Sequence, residues 1–543
     1  MKEALTREGT SSGKPAVTVT DTISDMLGGV QCPSNSISFH GGIACRHLRR
    51  IPLGGSALGG QGIQFHVLSF EGPDDYSRAG GIASRITGLT QALAEADLDT
   101  HLWFVGDPNL PGHEARDRLR LHRWCQWISQ YHAGGVYDGE EGKRADYVSS
   151  LPPFLVQESL LPYLHGSRGQ AVILAEEWQT VDAVLHLDWL LRKAGLRGRV
   201  SIFWNANNTF GFDRIPWGRL AQASVITTVS RYMRHVMRGL GVDALVVPNG
   251  LQAEALRAPE RGAVREFRQR VRGRLVITKV ARWDPDKRWL LAIDTVGELK
   301  RNGWRPLLVA RGGVEEHGME VLARAGAVGL RVVDRSVPQR GVRGLLESLD
   351  GLGDADVVSL GSPLCPEACR VLFRGAGAVL ANSGHEPFGL VGLEAMAAGG
   401  LACTGSTGED YAIPGWNALV LQTDDPREFV RQLHRLRTNP TEERAVRRRG
   451  ALTAKRYAWP EVIRRNFLPH LHLADGEAAA SVYVDGPALA AVGSNNAPAS
   501  TCALRRCDGE VRTGRSAVDT YTPSLFLPQT LGVTEPPHPA ASH

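Results

Sequence analysis

Two glutamates, Glu386 and Glu394, stand with seven residues between them in the string Ser383-Gly-His-Glu-Pro-Phe-Gly-Leu-Val-Gly-Leu-Glu394-Ala-Met-Ala, directly after the apolar run GAVLAN. Gly389 permits a sharp turn and a close backbone approach. A helix starting near Leu390 would aim the free amides of Leu390 and Val391, and its positive dipole end, beyond the strand. That arrangement suits a diphosphate and a sugar, with one carboxylate on the sugar hydroxyls and the other on a ribose. Two glutamates alone would do no more than favour a helix start; the full string is far more specific. Arg282 and Lys287, five positions apart, follow the apolar run RLVITKV. Two cations at a strand end can clamp a diphosphate and offset its charge as it leaves, although most such pairs are solvated surface. A third group is Tyr76-Ser-Arg78-Ala-Gly80-Gly81-Ile82. Its glycine pair would let backbone amides reach a phosphate or an acceptor; the plainer alternative is a tight turn. It is neither a P-loop nor a G-x-G-x-x-G fingerprint.

These groups need elements to hold them. Apolar runs alternate with amphipathic stretches: IQFHVLSF from Ile63, HLWFV at 101–105, AVILA at 171–175, VSIFW at 200–204, SVITTV at 224–229 and ALVV at 244–247. Ile82, Ile86, Leu89 and Leu93 mark a helix after the first run. The alternation restarts at RLVITKV (274–280) and continues through PLLVA (306–310), LRVV (330–333), GAVLAN (377–382) and GLACT (400–404). The pattern predicts two open parallel sheets with helices on both faces. Ligands of such sheets sit beyond the carboxyl ends of the strands, where the three groups lie. A helix is expected from Asp425-Pro426-Arg427-Glu428, with Asp425 as cap and Glu428 completing a capping box. Residues 1–60 and 476–543, rich in Gly, Ser, Ala and Pro, read as poorly ordered tails.

The chain has 543 residues, 43% of them hydrophobic and 22% charged, with a formal net charge of +5. That length suggests two domains, and the balance is that of a globular protein rather than a nucleic-acid binder. The eight cysteines are too scattered for a disulfide scaffold, and Cys365–Cys369 has no second pair at zinc spacing, so no metal is expected. No run of about eighteen apolar residues occurs, so no transmembrane helix is expected and the cytoplasm is the expected location. The basic stretch from Arg444 to Arg456 reads as a solvated helix face, with peripheral membrane contact as the alternative.

Taken together, the motifs resemble the family-four retaining glycosyltransferases of the GT-B fold, which include glycogen, starch and sucrose synthases, over about Gln64 to His472. Glu386–Glu394 is similar to the family's E-x7-E element, and Arg282 with Lys287 to its diphosphate pair. Val247-Pro-Asn249-Gly250 resembles the turn that opens the second domain, and Arg78-Ala-Gly80-Gly81 the Lys-x-Gly-Gly loop. Tyr457-Ala-Trp459 resembles the start of a helix that crosses back to the first domain. The resemblance implies an α/β fold of two Rossmann-like parallel-sheet domains facing a central cleft, at 61–247 and 248–455, with a crossover helix at 456–475. It implies transfer of a hexose from a UDP-, ADP- or GDP-sugar, a substrate rather than a cofactor, to a saccharide or other hydroxyl acceptor. Glu386, Arg282 and Lys287 would be catalytic, and Glu394, Gly389, Leu390, Val391, Arg78, Gly80, Gly81 and Asn249 would bind the donor. One departure stands out. Where relatives carry histidines in the first domain, this chain reads Leu174-Ala-Glu176-Glu177-Trp178-Gln179 and Trp204-Asn205-Ala-Asn207. Glu176, Glu177, Asn205 and Asn207 are therefore the first-domain candidates. The rival readings are a phosphorylase or hydrolase on the same scaffold and a non-catalytic nucleotide-sugar binder.

Overall fold

A computed structural model describes residues 62–336 and 341–471. The expected tails, and residues 472–475 of the expected crossover helix, lie outside the described residues. The strands in chain order are β1 (Ile63–Leu68), β2 (Asp99–Val105), β3 (His113–Arg116), β4 (Leu119–Trp124), β5 (Gln170–Glu176), β6 (Val200–Ala206), β7 (Val225–Thr228) and β8 (Leu245–Val246). They continue as β9 (Leu275–Val280), β10 (Pro306–Arg311), β11 (Val332–Arg335), β12 (Val357–Leu360), β13 (Ala378–Ala381), β14 (Ala402–Thr404) and β15 (Leu419–Val420).

They form two sheets. The first has the order β3-β4-β2-β1-β5-β6-β7-β8 and the second β11-β12-β10-β9-β13-β14-β15. All pairings are parallel except β3 with β4, which is antiparallel. The central strands are largely apolar because helices cover both faces of a parallel sheet; every residue of β1 is buried, Gln64 and His66 included. Strand order reverses at β1, between β2 and β5, and at β9, between β10 and β13. Neighbouring loops diverge at such reversals, which opens a crevice at the carboxyl ends of the strands.

The helix after β1 spans Gly81–Glu95 and buries Ile86, Leu89 and Leu93. The helix expected from Asp425 spans Pro426–Arg437, and the Asp425 side chain accepts the Arg427 amide. Glu428 differs from the expected capping box. Its carboxylate reaches further back, to the amides of Gln422 and Thr423, while the Thr423 hydroxyl takes the Asp425 amide.

The last described residues complete the first core. A short helix, Trp459–Val462, leads into a wider turn at Ile463–Phe467. Trp459, Val462, Ile463, Phe467, Leu468 and Leu471 pack among Ile63, Phe65, Leu102 and Phe203. Trp459 is seated by two glycines: a Cβ on Gly88 would lie 2.2 Å from its Nε1, and one on Gly250 2.4 Å from its Cδ2. The strand-end turn is stitched to the same segment by bonds from the Leu251 amide to the Tyr457 carbonyl and from the Trp459 amide to the Leu251 carbonyl.

Candidate active site

The second sheet supplies one wall. After β9 a short turn, Pro285–Lys287, is capped by Asp284, whose side chain accepts the Asp286 amide. The Asp286 carboxylate accepts the His385 amide at 2.9 Å, and the Asp286 carbonyl accepts the Gly384 amide at 2.7 Å. These bonds tie the loop after β9 to the loop after β13, and the Lys287 ammonium donates to Glu386 Oε2 at 2.8 Å. Arg282 is largely exposed and lies 3.7 Å from Asp284.

The Glu386 loop is fixed from behind. Its amide donates to the Thr407 hydroxyl at 2.9 Å, and its carbonyl accepts the Gly408 amide at 2.8 Å. Gly389 has φ +77°, which suits glycine, and its carbonyl accepts the Tyr411 hydroxyl. The helix Leu390–Ala397 starts there. The Glu394 carboxyl is half-buried, has no hydrogen-bond partner among the described residues, and is pushed by burial up to about 7.

The first sheet supplies the facing wall. Glu176 is 2% exposed and saturated: it takes Arg85 Nε at 3.1 Å, Asn205 Nδ2 at 2.8 Å and Asn207 Nδ2 at 2.7 Å. The same Arg85 donates to Asn249 Oδ1 at 2.8 Å and lies over the Trp459 ring. This network joins the ends of β5 and β6, the Asn249 turn and the crossover segment. Fully used carboxylate and amide groups of this kind position their neighbours and have little capacity left for chemistry.

Glu177 is different. Its backbone sits at φ +68°, ψ +167°, a region that is almost exclusively glycine's and costs about 1–3 kcal/mol for other residues. Its Oε1 accepts the Asn207 amide at 2.6 Å. Burial, with Glu176 and Glu71 nearby, pushes its carboxyl up to about 8. Burial thus favours its protonated form, which can donate a hydrogen bond.

A cleft of about 910 Å³ lies between the two walls. Arg282, Lys287, Glu386, Gly389, Leu390, Val391, Gly80, Gly81, Asn249, Glu177 and Asn207 line it; Arg78, Glu176, Asn205 and Glu394 do not. Arg78 turns outward to the Pro73 carbonyl and Asp75. The Gly80 amide, expected to be free for a phosphate, is instead taken at 3.0 Å by Glu71, which also accepts the Ala83 amide at 2.9 Å and caps the helix.

Sequence reasoning missed Glu71 and Lys279. Lys279 is buried on β9, where its Nζ donates to Asn382 Oδ1 at 3.1 Å, and burial lowers it to about 7. A lysine within an apolar strand was the available signal. The exposed ring of Phe210 and the Trp178 ring, 6.4 Å apart, stand on the first wall. Among the described residues, no cluster of three or more His, Cys, Asp or Glu side chains could hold a metal, and no helix is long and apolar enough to cross a membrane.

The fold has known counterparts. The catalytic domain of starch synthase IV from Arabidopsis thaliana, bound to ADP and acarbose, superposes with a TM-score of 0.53 at 14% identity, covering 75% of this chain and 99% of that one. A UDP-forming trehalose-phosphate synthase from Burkholderia xenovorans gives 0.51 at 16% identity, covering 75% and 98%. A sucrose-phosphate synthase from Thermosynechococcus elongatus gives 0.50 at 18% identity, covering 74% and 96%. These are GT-B glycosyltransferases, and the chain has the GT-B fold. In sequence, the D-inositol 3-phosphate glycosyltransferase of Streptomyces avermitilis is 31% identical over 118 residues, which is 21% of this chain. The match spans a quarter (25%) of that relative's length. No family model matches the chain.

Proposed function

We propose that the chain is a retaining glycosyltransferase that moves a hexose from a nucleotide diphosphate sugar to a saccharide or other hydroxyl acceptor, in the cytoplasm. One observation carries this reading: Arg282, Lys287, Glu386 and the amino end of the Leu390 helix line one cleft, with Glu177 on its other wall. The cations and the amides of Leu390 and Val391 are placed to receive negative charge on a departing diphosphate. Glu386 holds the sugar hydroxyls. Glu394, set behind the cleft lining on the same helix, is assigned to the ribose. The missing first-domain histidine is replaced by Glu177, which donates a hydrogen bond to the sugar from the opposite wall. The bond from the anomeric carbon to the diphosphate breaks, the bond to the acceptor oxygen forms on the same face, and the acceptor proton passes to the leaving phosphate oxygen. Phe210, exposed on the first wall, offers an apolar ring face to an acceptor.

The test incubates purified protein with UDP-, ADP- and GDP-glucose and measures thermal shift and release of nucleoside diphosphate. A ligand bound only by the native state raises its melting temperature. Wild-type rates in both Glu386→Ala and Lys287→Ala would sink the site assignment. Nucleotide binding without turnover would favour the non-catalytic reading, and phosphate-dependent turnover without nucleotide the phosphorylase.

A further inference from the structure

We propose that a groove at the amino ends of β9 and β13, the ends opposite the cleft, binds a small soluble polyanion carrying several phosphoryl groups. The groove encloses about 1370 Å³ between the helices Arg261–Arg270 and Pro440–Lys455 and the carboxyl ends of the helices Pro366–Gly375 and Leu390–Ala397. Ten arginines and one lysine line it, against a single carboxylate, Glu443. None of these residues belongs to the catalytic proposal.

Helix capping accounts for part of this charge. Arg374 donates to the Gly399 carbonyl, Arg268 to the Arg374 carbonyl and Arg447 to the Gly377 carbonyl. Arginines at helix carboxyl ends are favourable for that reason. Capping does not account for the rest. The exposed side chains of Arg265, Arg272 and Arg448 form neither a hydrogen bond nor an ion pair among the described residues. On the half-buried floor, Arg274 Nε, Arg437 Nε and Arg447 Nη1 lack an acceptor among the described residues. Glu443 is already shared between Arg447 at 2.9 Å and Arg437 at 3.6 Å. Burial, with Arg437 and Arg374 beside it, lowers the Arg447 guanidinium to about 10 even so. Like charges held this close repel, and the folded chain tolerates the arrangement at a cost that a bound anion would relieve.

The chemistry of the ligand follows from what lines the groove. Arginine forks match phosphoryl oxygens in pairs. No aromatic or histidine side chain is present to stack on a base, which argues against single-stranded nucleic acid, whose recognition uses such platforms. The floor arginines lie in a concavity that a flat bilayer surface cannot enter, which argues against a membrane. A compact, phosphate-rich molecule meets both conditions, and tripolyphosphate is the probe.

The experiment is calorimetric titration of the full chain with tripolyphosphate at low and moderate salt. Binding near one to one, weakening with salt, is expected. R265A/R272A/R448A, which removes exposed and unpaired side chains, is expected to weaken it by about tenfold or more while melting as the wild type does. If that variant melts lower, R448E alone serves in its place, with the same weakening expected. Lys287→Ala, which removes any tripolyphosphate held in the cleft, is expected to leave the groove's own binding event in place with its affinity unchanged. Undiminished binding in the groove variants, or equal loss in Lys287→Ala, would overturn the site. So would capture of RNA or of anionic phosphatidylserine vesicles by a chain that ignores tripolyphosphate.

Discussion

Lys287 Nζ and Glu386 Oε2 meet at 2.8 Å although their residues lie 99 positions apart. Each partly cancels the other's charge, so a donor diphosphate must draw the ammonium away while the sugar engages the carboxylate. Lys287→Ala and Glu386→Gln are each expected to lower turnover by about 10²–10³-fold, the range for removing one charge-stabilising group. The double variant is expected to fall well short of the product of the two, because the pair acts as one unit. Multiplicative losses in steady-state rates would refute this coupling.

Glu177 links the cleft to stability. Burial pushes its carboxyl up to about 8 in the folded chain, against about 4.3 when unfolded. A folded-state value above the unfolded one stabilises at low pH, and this contribution is lost as pH rises from about 4.3 to 8. Thermal unfolding of Glu177→Gln should therefore gain on the wild type steadily across that window. A constant difference between the two curves would show that Glu177 does not carry the shift.

A row of imidazoles works in the opposite direction. His66, His101, His122 and His113 lie side by side across β1, β2, β4 and β3. His101 Nδ1 is 3.0 Å from His122 Nε2, and His113 Nδ1 is 2.8 Å from His122 Nδ1. Burial, with His101, His113 and Arg120 nearby, lowers His122 to about 3; burial holds His66 well below its usual value too. Groups kept neutral in the folded chain remove stability as pH falls from about 6.5 toward 3. His122→Gln should flatten the acid limb of a melting-temperature profile. An unchanged acid limb would exclude the row as its cause.

Gly88 sets two effects against each other. Alanine in a helix interior gains about 1 kcal/mol over glycine. Here its Cβ would lie 2.2 Å from the Trp459 ring nitrogen, and overpacking a dense core costs about 1–3 kcal/mol. The clash should win, so Gly88→Ala is expected to melt lower and to be cleaved sooner near Trp459 in limited proteolysis. A variant that melts higher would mean that the crossover segment yields easily.

Much of the fold was legible because buried parallel strands are apolar on both faces. β3 and β4 were missed because HEAR and LRLHRW are largely polar or alternating; β12 and β15 were missed although β8 and β14, comparably short, were found. The cleft residues on the second sheet were legible because they directly follow apolar strands. The first wall was harder. Glu176 and Glu177 are neighbours in sequence, yet one is bonded to Arg85, 91 positions away, with Asn205 and Asn207, and the other is pushed toward its neutral form by burial in a glycine-like conformation. Nothing local distinguishes them. Glu71 was missed because its partners are backbone amides and the Tyr137 hydroxyl, 66 positions away, which no local side-chain pattern reports.

The packing of Phe467 against Phe65 and Phe203 has a consequence during synthesis. The first sheet is complete on the ribosome long before the residues that cover one of its faces have been made. At about 5–20 residues per second, that greasy face waits many seconds for its lid. A nascent chain of this design has reason to engage a chaperone, and separate expression of the two halves would leave the first without its final layer.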